Sequence, residues 1–286
     1  MLWNALCDQQ VNPDSFNAAL TGKGAVLVFS EHTVYELAKT FTSEKPNATP
    51  RGRELLSYLQ RYVSDTFCVK KPIELVAAEM GALQFRAADV EAFHDETNFS
   101  IVRTAIERLA AGVMDDTAKK YISDRMHDVK DDRSGVIKYL ESNPQIKAEL
   151  REITAEALPQ WLVHETLKTN GVLSLAKRIK DYFPEAEIRD AGEYAYLLLV
   201  GPFHSVGAAM VRGDLYANWR CAHRNSNPRD LTEDLQHVLS ASYCDIYATS
   251  EPGQFEYAGL LLSNGNRLAL YDKQVPVDSW LLGLVD

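Results

Sequence analysis

The sequence predicts an α/β protein whose parallel sheet is interrupted by a large helical insertion. Three observations lead there. Ala25-Val-Leu-Val-Phe29 is a continuous apolar, β-branched run of the kind buried on both faces of a parallel sheet. From Asp230 to Tyr271 a helix pattern, a short apolar strand pattern (Ile246 to Ala248), a Pro-Gly turn, a second helix pattern and a second strand pattern follow one another. A helix between two strands implies a parallel crossover. Between these stretches, from Glu54 to about Phe183, the chain reads as nearly all helix. The resulting division is residues 1–45 with 190–286 for the α/β part, and 46–189 for the helical insertion.

Composition narrows the class. The chain has 286 residues, 46% hydrophobic and 24% charged, as in an ordinary globular protein with ample core. No apolar run reaches the ~18 residues of a membrane span, and the first residues lack the basic-then-apolar pattern of a secretory signal. Four widely spaced cysteines form neither a zinc pattern nor a disulfide framework, so reduced thiols and a cytoplasmic location are expected. The formal net charge of −10 argues against broad binding to long nucleic acid. A short or structured substrate, met by locally concentrated positive charge, remains compatible.

In chain order, Leu2 to Cys7 reads as a helix already under way, and Asp14 to Leu20 as a second that ends at Thr21-Gly-Lys-Gly24. Ala25 to Phe29 is the first strand. Ser30 is placed to cap the next helix, with Val34, Leu37, Ala38 and Phe41 inward and Glu36 off that stripe. Thr42 to Arg53 reads as a polar connection. Helices are expected over Leu55 to Val63, Ile73 to Leu83, Ile101 to Val113, Thr117 to Leu140, Gln145 to Leu158 and Val172 to Tyr182. From Ala208 to Arg229, Arg212, Tyr216, Arg220 and Arg224 recur every four residues as a basic stripe, with Arg229 close by. That stripe is either a solvated face or a strip that positions phosphates.

Asp230 is expected to cap the following helix, with Glu233 completing a capping box. Leu231, Leu235, Val238, Leu239 and Ser242 form its inward face, and Asp234 and His237 lie off it. In open parallel sheets functional groups gather beyond the carboxyl ends of the strands. Glu251 sits just past Ala248 and Thr249, and Asp234 can reach the same rim. Asp245 opens the strand and belongs to the opposite rim, ~20 Å of extended chain away.

Asp230-Leu-Thr-Glu-Asp234-Leu-Gln-His237, followed by Tyr243-Cys-Asp-Ile-Tyr-Ala-Thr249-Ser-Glu251, resembles the C-terminal half of PIN-like domains. Val26 to Phe29 with Thr33-Val-Tyr-Glu36-Leu-Ala-Lys39 resembles their early strand and glutamate-bearing helix. The likeness covers roughly residues 1–41 and 205–285. It implies a PIN-like parallel-sheet sandwich and a metal-dependent ribonuclease, some members being toxins with an antitoxin partner. It also implies that Glu36, Asp234 and Glu251 are both the catalytic acids and the ligands of Mg²⁺ or Mn²⁺. Arg220, Arg224 and Arg229 would contact RNA phosphates, while His237 and Thr249 would support the acids. A homo-oligomeric partner is equally compatible, and no membrane partner is expected.

Two departures stand out. Glu251 occupies a place where aspartate is usual, and an extra methylene moves a carboxylate by about 1.5 Å in a site that needs close geometry. The family's first acid ends an N-terminal central strand, and here a helix begins at Leu2 instead. Either Met1 is internal to a longer native chain, or the chain is a truncated and inactive relative. Asp8, six residues into that helix and about 9 Å along it, is a poor substitute. Loss of a central strand would leave two unpaired strand edges in the interior. The alternative function is accordingly a non-catalytic PIN-like scaffold or protein-interaction module.

Overall fold

The computed structural model describes residues 2–62, 67–87, 89–184, 191–200, 205–224, 229–262 and 265–286, without the side chains of residues 67, 117, 121, 124–134, 229 and 230. The chain opens with α1 (Leu2–Asp8) and α2 (Pro13–Gly22), then β1 (Val28–Ser30) and α3 (Glu31–Ala38). Next come α4 (Ala48–Tyr62), β2 (Phe67–Val69), α5 (Pro72–Phe85), α6 (Glu96–Ala110) and α7 (Asp116–Ser142). Helices α8 (Pro144–Glu152), α9 (Leu158–Thr166), α10 (Thr169–Tyr182), α11 (Ala191–Val200) and α12 (Val206–Arg224) follow. The last part is α13 (Arg229–Ser240), β3 (Ile246–Thr249), α14 (Pro252–Leu261), β4 (Arg267–Leu270) and α15 (Val277–Gly283).

The α/β class holds, with helices far in excess. The described strands form two parallel pairs. Ile246, Tyr247, Ala248 and Thr249 of β3 face Arg267, Leu268, Ala269 and Leu270 of β4, and α14 is the crossover between them. The second pair departs from the sequence reading. Val28, Phe29 and Ser30 of β1 face Phe67, Cys68 and Val69, which lie between two expected helices in the stretch read as nearly all helix. That three-residue strand follows a polar segment and is too short to show a period. Burial stabilises it, because Cys68 and Val69 are 1% and 2% exposed. The outer edge of β2 is covered as well. Lys70 donates its backbone N–H to Ala92 at 3.0 Å, and His94 donates to Cys68 at 3.0 Å.

The boundary at residue 46 therefore needs correction. One apolar core joins Leu6 and Phe16 to Phe29, Tyr35 and Leu37, and continues through Leu56, Tyr62, Ile106 and Ile122. Helices α4 and α6 thus belong with β1 and α3. Local starts and stops were closer to expectation. Ser30 does cap α3, its hydroxyl accepting the Thr33 N–H at 3.4 Å. Helix α4 begins inside the predicted connection because Pro50 in its first turns costs no hydrogen bond. The helix read over Gln145 to Leu158 stops at Glu152, and α9 starts only at Leu158, after a turn in which the Ala157 N–H bonds the Thr154 hydroxyl at 3.3 Å. Strand β1 is shorter than the apolar run, since only Val28 to Ser30 meet β2.

Helix α12 is the spine of the second half. It packs against α5, α7, α8, α9, α10, α11, α13 and α14. Its first turn is held by Glu79, which accepts the N–H groups of Val206 (2.5 Å) and Gly207 (3.3 Å) and the Tyr243 hydroxyl (2.7 Å). At the α9–α10 corner, Gly171 leaves no room for a side chain: a Cβ there would lie 2.2 Å from the Thr166 carbonyl oxygen. Gly171→Ala is expected to lower stability by ~2 kcal/mol through overpacking against main chain. Urea unfolding measures it, and an unchanged midpoint would mean that the corner opens without cost.

Candidate functional site

Strand β1 leads through Ser30 into α3, and β3 leads through Thr249 and Glu251 into α14. Helix α13 lies against both α3 and α14. Each of these elements contributes to one polar cluster. From α3, Glu36 Oε2 lies 2.8 Å from His237 Nε2 of α13. Lys39, one turn on, approaches the other Glu36 oxygen at 3.6 Å and binds Glu233 at 2.6 Å. Glu36 is not the surface residue its place off the apolar stripe suggested, because its side chain is only 13% exposed. Burial alone would raise its pKa. The hydrogen bond from His237 and the charges of His237, His32 and Lys39 outweigh burial and hold the carboxyl at about 2.

Asp234 faces the same cluster through a relay. Gln254 of α14 donates its amide to Asp234 Oδ1 at 2.8 Å, while the Gln254 carbonyl accepts the hydroxyls of Thr249 (2.9 Å) and Tyr247 (3.2 Å). The Thr249 hydroxyl also accepts the Glu251 N–H at 3.1 Å. The carboxylate is thereby fixed from both strand and helix. Burial raises the Asp234 pKa first. Gln254 and His237 oppose that rise, and the negative charges of Glu251 and Glu36 add to it. The tyrosine Tyr247 is pushed up by burial and then by Asp234, Glu251 and Glu36. Glu36 and Glu251 therefore both act on Asp234, and all three acids act on Tyr247. Glu251 itself is solvent-exposed at the mouth.

His32 was given no site role by the sequence reading, yet it belongs here. Its buried ring meets the edge of His237 at 4.7 Å between centroids. One donor atom from each of His32, Glu36 and His237 falls within a sphere where all lie within 4.8 Å of one another. The signal was legible: His32 and Glu36 stand four apart on one helix and share a face. Gln254 was not legible. A second group with the same tightness is Glu31, Glu74 and His94: Lys71 lies 2.9 Å from Glu31, while the buried His94 Nε2 stands 3.7 Å from Glu31 and 3.9 Å from Glu74.

The basic stripe divides. Burial pushes the Arg212 pKa down, and its Nε donates to the Ala208 carbonyl of its own helix at 3.3 Å. Arg220 lies over the Tyr257 ring at 5.2 Å, beside α14. Arg224 is exposed at the end of α12. The side chains of Arg229 and Asp230, and with them the predicted cap, lie outside the described residues. Asp245 is exposed at the amino end of β3, on the rim away from the acids. Asp8 pairs with Arg51, a surface carboxylate as expected.

The cysteines are unpaired, and no described helix is long and apolar enough to cross a membrane. No family model, curated protein or solved structure matches the chain.

Proposed function

We propose that this chain is a PIN-like, divalent-metal-dependent ribonuclease whose acids are Glu36, Asp234 and Glu251. The observation supporting this most is that Asp234 of α13, held by Gln254 of α14 at 2.8 Å, feels the negative charges of both Glu36 of α3 and Glu251 of the β3–α14 turn. Two partly buried acids, Glu36 and Asp234, with exposed Glu251 adding to the negative charge on Asp234, form a site that a cation would relieve. Of the three acids only Glu36 falls in a metal-sized group among the described residues, with His32 and His237. Carboxylate oxygens suit Mg²⁺ and Mn²⁺, and two imidazoles beside a carboxylate favour Mn²⁺ of the two.

When bound, the metal supplies a water of lowered pKa and offsets charge on the phosphodiester being cut. The chain's own residues do the rest. Glu36, Asp234 and Glu251 would hold the ion, and Gln254, itself held by Thr249, fixes the orientation of Asp234. His237 keeps Glu36 ionised. Arg220 and Arg224 stand on the adjoining helix to receive phosphates; Tyr257, which Arg220 covers, is six residues or about 9 Å along α14 from Glu251.

A scaffold without catalysis is the second reading. It is favoured by Glu36 being already satisfied by His237 and Lys39. Titration with Mn²⁺ separates metal pocket from salt-bridge network. Millimolar Mn²⁺ is expected to raise the melting temperature by several degrees, since an ion at ~100 times its Kd adds about 2.7 kcal/mol. The rise should disappear in Asp234→Asn. No rise in the parent chain would remove the metal reading.

A further inference from the structure

A second ligand group, sharing no residue with the acids assigned above, lies at the carboxyl ends of β1 and β2. Strand pairing brings it together. Ser30 faces Val69 in the β1–β2 register, so α3 and α5 start side by side. Phe93 bridges Val69 in the antiparallel sense, and His94 donates its backbone N–H to Cys68 at 3.0 Å, which lays a third segment along β2. Glu31 opens α3, Glu74 sits in the first turn of α5, and His94 follows the bridge. Glu31 and Glu36 stand five apart on α3, roughly 140° around the helix, so the two groups use different faces.

One donor atom from each of Glu31, Glu74 and His94 lies within 4.8 Å of the others. Neighbouring acids are ordinary on a surface; the imidazole is not. The His94 side chain is 8% exposed, and among the described residues its Nε2 has no hydrogen-bond partner. It faces both carboxylates, at 3.7 Å from Glu31 Oε2 and 3.9 Å from Glu74 Oε2, and each distance is too long for a hydrogen bond. A buried polar nitrogen left in that state is unfavourable. Both separations come within about 0.5 Å of the ~3.4 Å edge of a tetrahedron with ~2.1 Å metal–ligand bonds. Glu74 Oε2 also accepts the Lys71 N–H at 3.0 Å, which fixes its orientation. Burial raises the Glu31 pKa, but His94 and Lys71 outweigh burial and lower it, so Glu31 stands ready as an anionic ligand.

We propose that Glu31, Glu74 and His94 bind a Zn²⁺ ion, and that the Lys71 ammonium is the charge this ion displaces. Lys71 Nζ lies 2.9 Å from Glu31, and its side chain is 34% exposed, so it can swing into solvent. Two carboxylates and one imidazole nitrogen suit zinc. Mg²⁺ prefers oxygen ligands alone, and Mn²⁺ binds the same nitrogen and oxygen donors more weakly. Three protein ligands leave the fourth position to water. The ion ties the starts of α3 and α5 to the segment that precedes α6. Its binding does not depend on the nuclease reading.

Calorimetric titration of the intact chain with Zn²⁺ alone tests this, beside His94→Gln, His237→Gln and Lys71→Met. The parent is expected to show a binding event that His94→Gln weakens at least 100-fold and His237→Gln changes less than threefold. Lys71→Met should tighten the same event at least threefold by removing the competing ammonium, a gain that misfolding cannot mimic. Glu74→Gln, at a side chain 42% exposed, should repeat the loss without disturbing the core. Absence of zinc binding by the parent would overturn the proposal. An event lost in His237→Gln and kept in His94→Gln would also overturn it, by moving the ion to the Glu36 cluster. Equal binding by His94→Gln and the parent would reduce it to scattered surface carboxylates. Unchanged or weaker binding by Lys71→Met would refute the exchange of ammonium for metal.

Discussion

Replacing Asp234 with asparagine is expected to reduce Mn²⁺-dependent cleavage of a mixed-sequence RNA by at least 100-fold. The change keeps the Gln254 contact geometry, since Asn still offers an oxygen to the Gln254 amide. It removes one negative charge from a site where Glu36 and Glu251 already repel Asp234. A hundredfold loss corresponds to about 2.7 kcal/mol of transition-state stabilisation, modest for one ligand of a catalytic ion. Cleavage that persists in the variant would place the chemistry elsewhere. If neither protein cuts RNA while Mn²⁺ still raises the melting temperature, the acids form a metal-binding scaffold instead.

The second large effect concerns Glu79, which is 0% exposed and sits at the N-terminus of α12. Burial is the dominant influence and pushes its carboxyl up to about 7, against the donors Tyr243, Val206, Gly207 and Ser205. Its protonated form is therefore more populated in the folded chain than in the unfolded one. The sign follows from linkage. The contribution is fully present below the ordinary value of 4.5 and is lost as pH rises through about 7. Across that window the loss is worth about 3 kcal/mol, at roughly 1.4 kcal/mol per pH unit. Urea unfolding at pH 5 and pH 8 should show a drop in the parent that Glu79→Gln lacks; equal slopes would refute the assignment. Glu79→Leu, which strands two backbone N–H groups and a phenol, should cost ~3–5 kcal/mol at either pH.

The comparison of sequence with structure turns on how far each signal reaches. Ser30 as a cap, the inward face of α13, the parallel β3–β4 crossover and the separation of Asp245 from Glu251 were all readable, because each is decided within a few residues by hydrogen-bond geometry or side-chain period. His32 could have been added on the same ground. The strand at Phe67 to Val69 could not, since three residues carry no period and only pairing with β1 makes them a strand. Its omission misplaced the boundary at residue 46.

By itself the sequence determined the class, the Ser30 cap of α3 and the parallel β3–β4 crossover, for these depend on local hydrogen bonding and side-chain period. Only the tertiary structure decided that Glu36 meets His237 across 201 positions, and that Glu79 binds Val206 across 127. It alone opened a cavity lined by β1 and β3. Such pairings come from how whole helices pack, and no short pattern records which ends will touch.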